Sequence, residues 1–164
     1  MKIESGLYIV GTPIGNLSDI SFRAIDTLRS VDFVFAEDTR HTKKLFSRYE
    51  ISTPLISCHK FNETRKSKEI IAKINNDKSI ALVTDSGMPC ISDPGSRVIQ
   101  ICRESNIPIT SIPGPTALTT ALSMAGCSES GFIFHGFLPH KMGARRKNLL
   151  QYVDCTLPVI FYES

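Results

Sequence analysis

Over its first 125 residues the sequence alternates short apolar runs, rich in β-branched and aromatic side chains, with longer stretches of helical period. Few folds accommodate that rhythm. The apolar runs fall at 7–10, 31–36, 54–57, 79–84 and 107–112, and the helical stretches at 18–30, 39–48, 62–76, 94–105 and 115–125. A strand that must be followed by a parallel neighbour needs a crossover long enough to hold a helix, so strand–helix repetition points to a parallel sheet. The run Ile80-Ala81-Leu82-Val83 is apolar without alternation, as befits a strand covered on both faces. In 62–76, Ile70, Ile71 and Ile74 make one apolar stripe, leaving Lys66, Lys68, Glu69 and Lys73 as a solvated face. The expected fold class is α/β, a mostly parallel five-stranded sheet with helices on both faces.

After about Ala125 the rhythm restarts, with a strand at 131–136, a basic helix at 142–152 and an apolar strand at 157–162. We therefore expect an N-terminal α/β domain over 1–125 and the start of a second α/β domain over 126–164. The second domain is expected to be incomplete, because no helix follows the last strand to cover it.

The chain of 164 residues, 41% of them hydrophobic, is long enough to bury a real core. A net charge of +3 permits a polyanionic partner without requiring one. The cysteines Cys58, Cys90, Cys102, Cys127 and Cys155 are scattered and form no C-x-x-C pair, which fits a reducing cytoplasm and argues against a metal site. The apolar stretch before Gly11 is too short for a signal-peptide core or a membrane span.

Open parallel sheets bind ligands beyond the carboxyl ends of their strands, so the residues that follow each apolar run carry the functional information. Those residues are Gly11-Thr-Pro-Ile-Gly15-Asn16, Glu37-Asp-Thr-Arg40-His41, Cys58-His59-Lys60-Phe61-Asn62, Asp85-Ser-Gly-Met-Pro89 and Pro113-Gly-Pro115-Thr116. Gly and Pro there shape turns and let backbone approach a ligand, although they also punctuate loops that bind nothing. Neither G-x-G-x-x-G nor G-x-x-x-x-G-K-[ST] occurs, which disfavours NAD and ATP.

Taken together, Thr12-Pro-Ile-Gly-Asn-Leu17, Glu37-Asp-Thr-Arg40, Asp85 to Pro89 with Ser92-Asp-Pro-Gly95, Pro113-Gly-Pro115, Gly136-Phe-Leu-Pro139 and Phe161-Tyr-Glu-Ser164 resemble the ribosomal RNA small subunit methyltransferase I group of the tetrapyrrole methylase superfamily. The resemblance runs from Leu7 to Ser164. It departs at Met88, where the group commonly has threonine, and in length, since the group's chains continue further.

The resemblance implies S-adenosylmethionine as cofactor, a homodimer, and transfer of methyl to the ribose 2′-hydroxyl of a cytidine in 16S ribosomal RNA or the 30S subunit. It also implies cofactor contacts at Pro13 and Ile14, at Asp85, Ser86, Gly87 and Met88, and at Thr116 and Ala117. A sulfonium is best held among carbonyls and polarisable groups, a role open to the Met88 sulfur or the loop carbonyls. The acceptor hydroxyl must lose a proton, and Asp38, Glu37, His41 and His59 are candidate bases, with Asp38 preferred and Arg40 fixing its geometry or binding phosphate. Glu37-Asp-Thr-Arg40 reads equally as a helix start, with Asp38 as cap. His41, Lys141, Arg145, Arg146 and Lys147 are candidate RNA contacts, with Lys43, Lys44 and Arg48 as a second basic group. Two other functions remain open: a precorrin-type tetrapyrrole methylase, and a fragment that only binds cofactor or dimerises.

Overall fold

A computed structural model of the chain describes residues 3–126 and 131–163; Cys127 and Ser164 lie outside them. The chain divides into two compact units, Met1–Thr116 and Ala117–Ser164.

The first unit contains strands β1 (Gly6–Val10), β2 (Phe33–Ala36), β3 (Leu55–Ser57), β4 (Ser79–Val83) and β5 (Ile109–Ile112). Between them run helices α1 (Phe22–Ser30), α2 (Thr39–Arg48), α3 (Glu63–Ile74) and α4 (Ser96–Glu104). The strands form one sheet in the order β3-β2-β4-β1-β5, and every neighbouring pair is parallel. The α/β expectation is met.

Alternation along each strand divides the core in two. Tyr8, Val10, Val34, Ala36, Ala81 and Val83 pack with Ala24, Ile25 and Leu28 of α1 and Leu45 and Phe46 of α2. Leu7, Ile9, Phe35, Ile80 and Leu82 pack on the other face with Ile70 and Ile74 of α3 and Val98 and Cys102 of α4. The order of strands explains this division. From β1 through β2 to β3 the chain moves one way across the sheet, and from β3 through β4 to β5 it moves back. Crossovers of one hand must then lay their helices on opposite faces. As a result β4 sends its chain to one face while both neighbours, β1 and β2, send theirs to the other. The loop after β4 therefore emerges at a switch point, where such sheets open a crevice.

The expected helix over 18–30 is shorter and broken. Asn16 accepts from the N–H of Ser18 and starts a single 3₁₀ turn at Leu17–Asp19, and Ser21 then caps α1 by accepting from the N–H of Ala24 at 3.1 Å. Two side chains able to cap within a short stretch each begin their own element.

The second unit contains α5 (Ala117–Ala125), β6 (Ile133–Phe137), α6 (Met142–Leu150) and β7 (Val159–Tyr162), with β6 and β7 paired in parallel around an irregularity at His135. The Tyr162 hydroxyl accepts from the N–H of Leu118 at 3.1 Å, and its ring packs edge-on against Phe134 at 4.9 Å. Among the described residues no helix is long and apolar enough to cross a membrane.

Candidate active site at the carboxyl edge of the sheet

The loops leaving β1 and β4 are stitched together. Thr12 N–H donates to Gly87 O at 2.9 Å, Gly87 N–H donates to Thr12 O at 3.1 Å, and the Thr12 hydroxyl donates to Thr84 O at 3.0 Å. Gly87 takes a φ of +81°, a left-handed conformation that glycine adopts without strain. Gly11 is needed for another reason: a Cβ there would lie 2.7 Å from the Gly114 Cα and 2.6 Å from the Met88 sulfur. The loops after β1, β4 and β5 thus meet backbone to backbone.

Beside this junction lies a cleft of about 390 Å³ lined by Thr12, Pro13, Ile14, Gly15, Leu17, His41, Thr42, Lys44, Leu45, Thr84, Asp85 and Ser86. Its walls are apolar at Pro13, Ile14, Leu17 and Leu45 and polar along 84–86. Thr84 is 2% exposed, and its hydroxyl is the one buried side-chain oxygen or nitrogen among the described residues with no hydrogen-bond partner. Buried hydroxyls seldom stay unpartnered without cause.

Next to the cleft the ends of β2 and β4 are joined through carboxylates. Asp85 N–H donates to Glu37 Oε2 at 3.4 Å, and Asp38 N–H donates to Asp85 Oδ1 at 3.1 Å. Burial, followed by the charges of Asp85 and Asp38, pushes the Glu37 carboxyl up from its ordinary range. Asp93, further along the loop after β4, is pushed up to about 6 by burial and then by Glu37 and Asp85. Asp38 is the opposite case. Its carboxylate accepts from the Arg40 guanidinium at 2.7 Å and from the Arg40 N–H at 2.8 Å, which holds it well below the usual carboxylate range. It also caps α2, while the Arg40 side chain is 89% exposed.

On the far side of Glu37 is a second cleft of about 650 Å³, lined by Glu37, His59, Lys60, Phe61, Glu63, Ser92, Asp93, Pro94 and Ser96. Buried Glu63 closes its floor, where its carboxylate accepts from the N–H of Gly95 at the start of α4. The loop from Thr84 to Gly95 is thereby pinned at Gly87 and again at Gly95.

The model of the Tetrapyrrole (Corrin/Porphyrin) Methylases matches residues 6–164. The chain belongs to the tetrapyrrole methylase family, in its ribosomal RNA small subunit methyltransferase I group. It is 48% identical over 158 residues to the Ribosomal RNA small subunit methyltransferase I of Vibrio cholerae, covering 96% of this chain and 55% of that one. Against the protein of the same name from Thermotoga maritima it is 46% identical over 159 residues, covering 96% of this chain and 71% of that one. The chain thus spans little more than half the length of most of these relatives. Among solved structures, diphthine synthase superposes with a TM-score of 0.75 at 15% identity, covering 95% of this chain and 63% of that one. Uroporphyrin-III-C-methyltransferase from Thermus thermophilus superposes with a TM-score of 0.60 at 21% identity, covering 83% and 61%. These two likenesses concern the fold.

In this chain, Pro13, Ile14, Asp85 and Ser86 line the smaller cleft together with His41. Gly87 sits in the junction that bounds it, and Met88 turns its sulfur toward Gly11 and packs against the core beneath the sheet's α3–α4 face. Thr116 ends the first unit and Ala117 opens α5 of the second. Lys141 precedes α6, and Lys141, Arg146 and Lys147 are exposed, whereas Arg145 is half-buried and paired with Glu163 at 3.1 Å. Thr84 ends the apolar run 79–84, and the sequence alone gives its hydroxyl no part in a site. Asp93 stands within Ser92-Asp-Pro-Gly95, a pattern that assigns it no role, and nothing local singles out Glu63.

Proposed function

We propose that this chain serves an S-adenosylmethionine-dependent methyltransferase that methylates the ribose 2′-hydroxyl of a cytidine in 16S ribosomal RNA. In this reading the 30S subunit is the substrate, and the enzyme works as a homodimer in the cytoplasm. The observation that carries the reading is the cleft between Pro13–Leu17 and Thr84–Ser86. Its apolar walls suit a purine and an aliphatic chain. Its polar edge offers a buried, unpartnered hydroxyl at Thr84 beside the Asp85 carboxylate, which suits ribose hydroxyls and an amine.

The cofactor, when bound, supplies an electrophilic methyl group on a sulfonium sulfur. The chain's task is then to orient the acceptor and take up its proton, since alignment is the larger part of such catalysis. Glu37 fits proton uptake better than Asp38, because a base works best when its pKa approaches the working pH and Glu37 is the one pushed upward. Asp38 is engaged by Arg40, and the pair fits an orienting role in which the exposed guanidinium meets a phosphate. Lys141, Arg146 and Lys147, exposed on the second unit, add sequence-independent attraction for RNA. The relatives' name supports RNA over a tetrapyrrole as acceptor.

Calorimetric titration with S-adenosylmethionine, followed by transfer of tritiated methyl to 30S subunits, tests the reading. Saturable one-site binding that weakens in Thr84→Val is expected. Failure to bind cofactor would end it.

A further inference from the structure

The second cleft, beyond Glu37, holds an arrangement that the methyl-transfer reading leaves unused. Phe61 stands at its rim and is 93% exposed. The ring is held outward by a tight turn in which Asn62 Oδ1 accepts from His59 N–H and Asn62 N–H donates to His59 O, both at 2.9 Å. The His59 ring meets Phe61 edge-on at 6.1 Å. On its other side Phe61 borders a groove of about 480 Å³ lined by Asn62, Thr64, Arg65 and Lys68.

The cations on α3 and just before it fall into two sets. Lys66 is paired with Glu69 at 2.7 Å, and Lys73 lies over the Phe33 ring at 3.9 Å, so both are occupied within the fold. Lys60, Arg65 and Lys68 form no ion pair among the described residues and flank Phe61. A protein partner docking through Phe61 would need apolar surroundings, and apart from Pro94 the residues lining both grooves beside the ring are polar or charged. An aromatic platform interleaved with unpaired cations instead suits single-stranded nucleic acid, where bases stack and phosphates follow the charges.

We propose that a single-stranded RNA segment crosses the start of α3, with one base stacked on Phe61 and its phosphates beside Lys60, Arg65 and Lys68. The neighbouring nucleotide then enters the cleft of Glu37, His59 and Asp93. The cofactor cleft adjoins it, since Asp85 lines one cleft and donates its N–H to Glu37, which lines the other. The proposal rests on the reading of the chain as an RNA methylase.

The test is fluorescence anisotropy of labelled oligocytidylate with the full chain, alongside Phe61→Ala, Phe61→Tyr and the double variant Arg65→Ala/Lys68→Ala. Cofactor calorimetry on each protein checks its folding. Phe61→Ala should weaken binding by about 5- to 100-fold, as loss of one stacked base does, and Phe61→Tyr should bind like the parent. The double variant should lower the slope of log affinity against log salt by about 1.4. If the parent binds the oligonucleotide and Phe61→Ala binds equally well, the path over α3 is overturned while the RNA reading stands. If the parent binds cofactor but not the oligonucleotide, both fall.

Discussion

Thr12 and Gly87 exchange both of their main-chain hydrogen bonds, at 2.9 and 3.1 Å, and so fasten the loop leaving β1 to the loop leaving β4 beyond the end of the sheet. No named strand continues there, so this bridge, with the Thr12 hydroxyl on Thr84 O and the glycines that let the loops approach, shapes the smaller cleft.

Gly11→Ala is expected to destabilise the chain more than Gly87→Ala. At Gly87 a Cβ has room, with Ile14 Cγ2 at 3.6 Å and Pro115 O at 3.7 Å, so the cost is the left-handed backbone, about 1 kcal/mol. At Gly11 a Cβ would collide with the Gly114 Cα, and backbone must move. Gly87→Val should cost about 1–3 kcal/mol, because a β-branched residue tolerates that φ poorly, and should weaken S-adenosylmethionine binding. Urea unfolding of the variants ranks them, and equal losses for the two alanines would refute the steric distinction.

Thr84→Val should leave the fold as stable as the parent or more so, since it removes a buried hydroxyl that has no partner. The same change should reduce S-adenosylmethionine affinity by about 3- to 10-fold, the worth of one ordinary hydrogen bond. A variant that loses stability and keeps full affinity would place the hydroxyl's role in folding.

Asp93 gives a pH signature. Its folded pKa, about 6, lies above the unfolded value of 3.8, so the folded state binds more protons between the two. The stability attached to that proton is present below about pH 4 and is lost as pH rises through 6. Asp93→Asn should therefore be more stable than the parent at pH 8, by about 1 kcal/mol after allowance for solvent screening, and should match it near pH 4. Urea midpoints across that range measure the difference, and a constant gap would exclude proton linkage.

Arg40→Ala should return the Asp38 carboxyl toward its ordinary titration range, since the guanidinium is the largest influence holding it down. Carboxyl carbon NMR reads this directly. In a protein active in methyl transfer the same variant should lower that transfer more than cofactor affinity, as an orienting pair would. Equal loss of both would assign the pair to cofactor binding.

The three inner strands β1, β2 and β4 are legible in the sequence as short apolar runs without alternation, which suit strands covered on both faces, whereas the edge strands β3 and β5, with exposed polar residues, are read from the strand–helix rhythm. Ile80 to Val83 is the clearest of them and lies in the central strand. Helix starts are less legible. Asn16 and Ser21 can each cap, and only the path of the chain decides which begins the long helix. At the site, Pro13, Ile14, Asp85 and Ser86 stand out because they directly follow strands and carry the family's pattern. Thr84 does not, because a threonine's hydroxyl is usually satisfied locally, and its lack of a partner exists only once β1 and β4 lie side by side. The raised pKa of Asp93 likewise owes part of its origin to Glu37 and Asp85, which the sheet order brings to it. Phe61 is hidden differently: nothing in a sequence says that a phenylalanine will face water.

The loop from Thr84 to Gly95 resembles a footbridge, anchored at one bank by Gly87 on Thr12 and at the other by Gly95 on Glu63, with its middle spanning open ground between two covered faces. Because neither anchor uses a side chain of the loop itself, the planks between them are free to be exchanged. A family built on this span can change what it recognises by rewriting Ile91 to Pro94 while both halves of the core stay as they were.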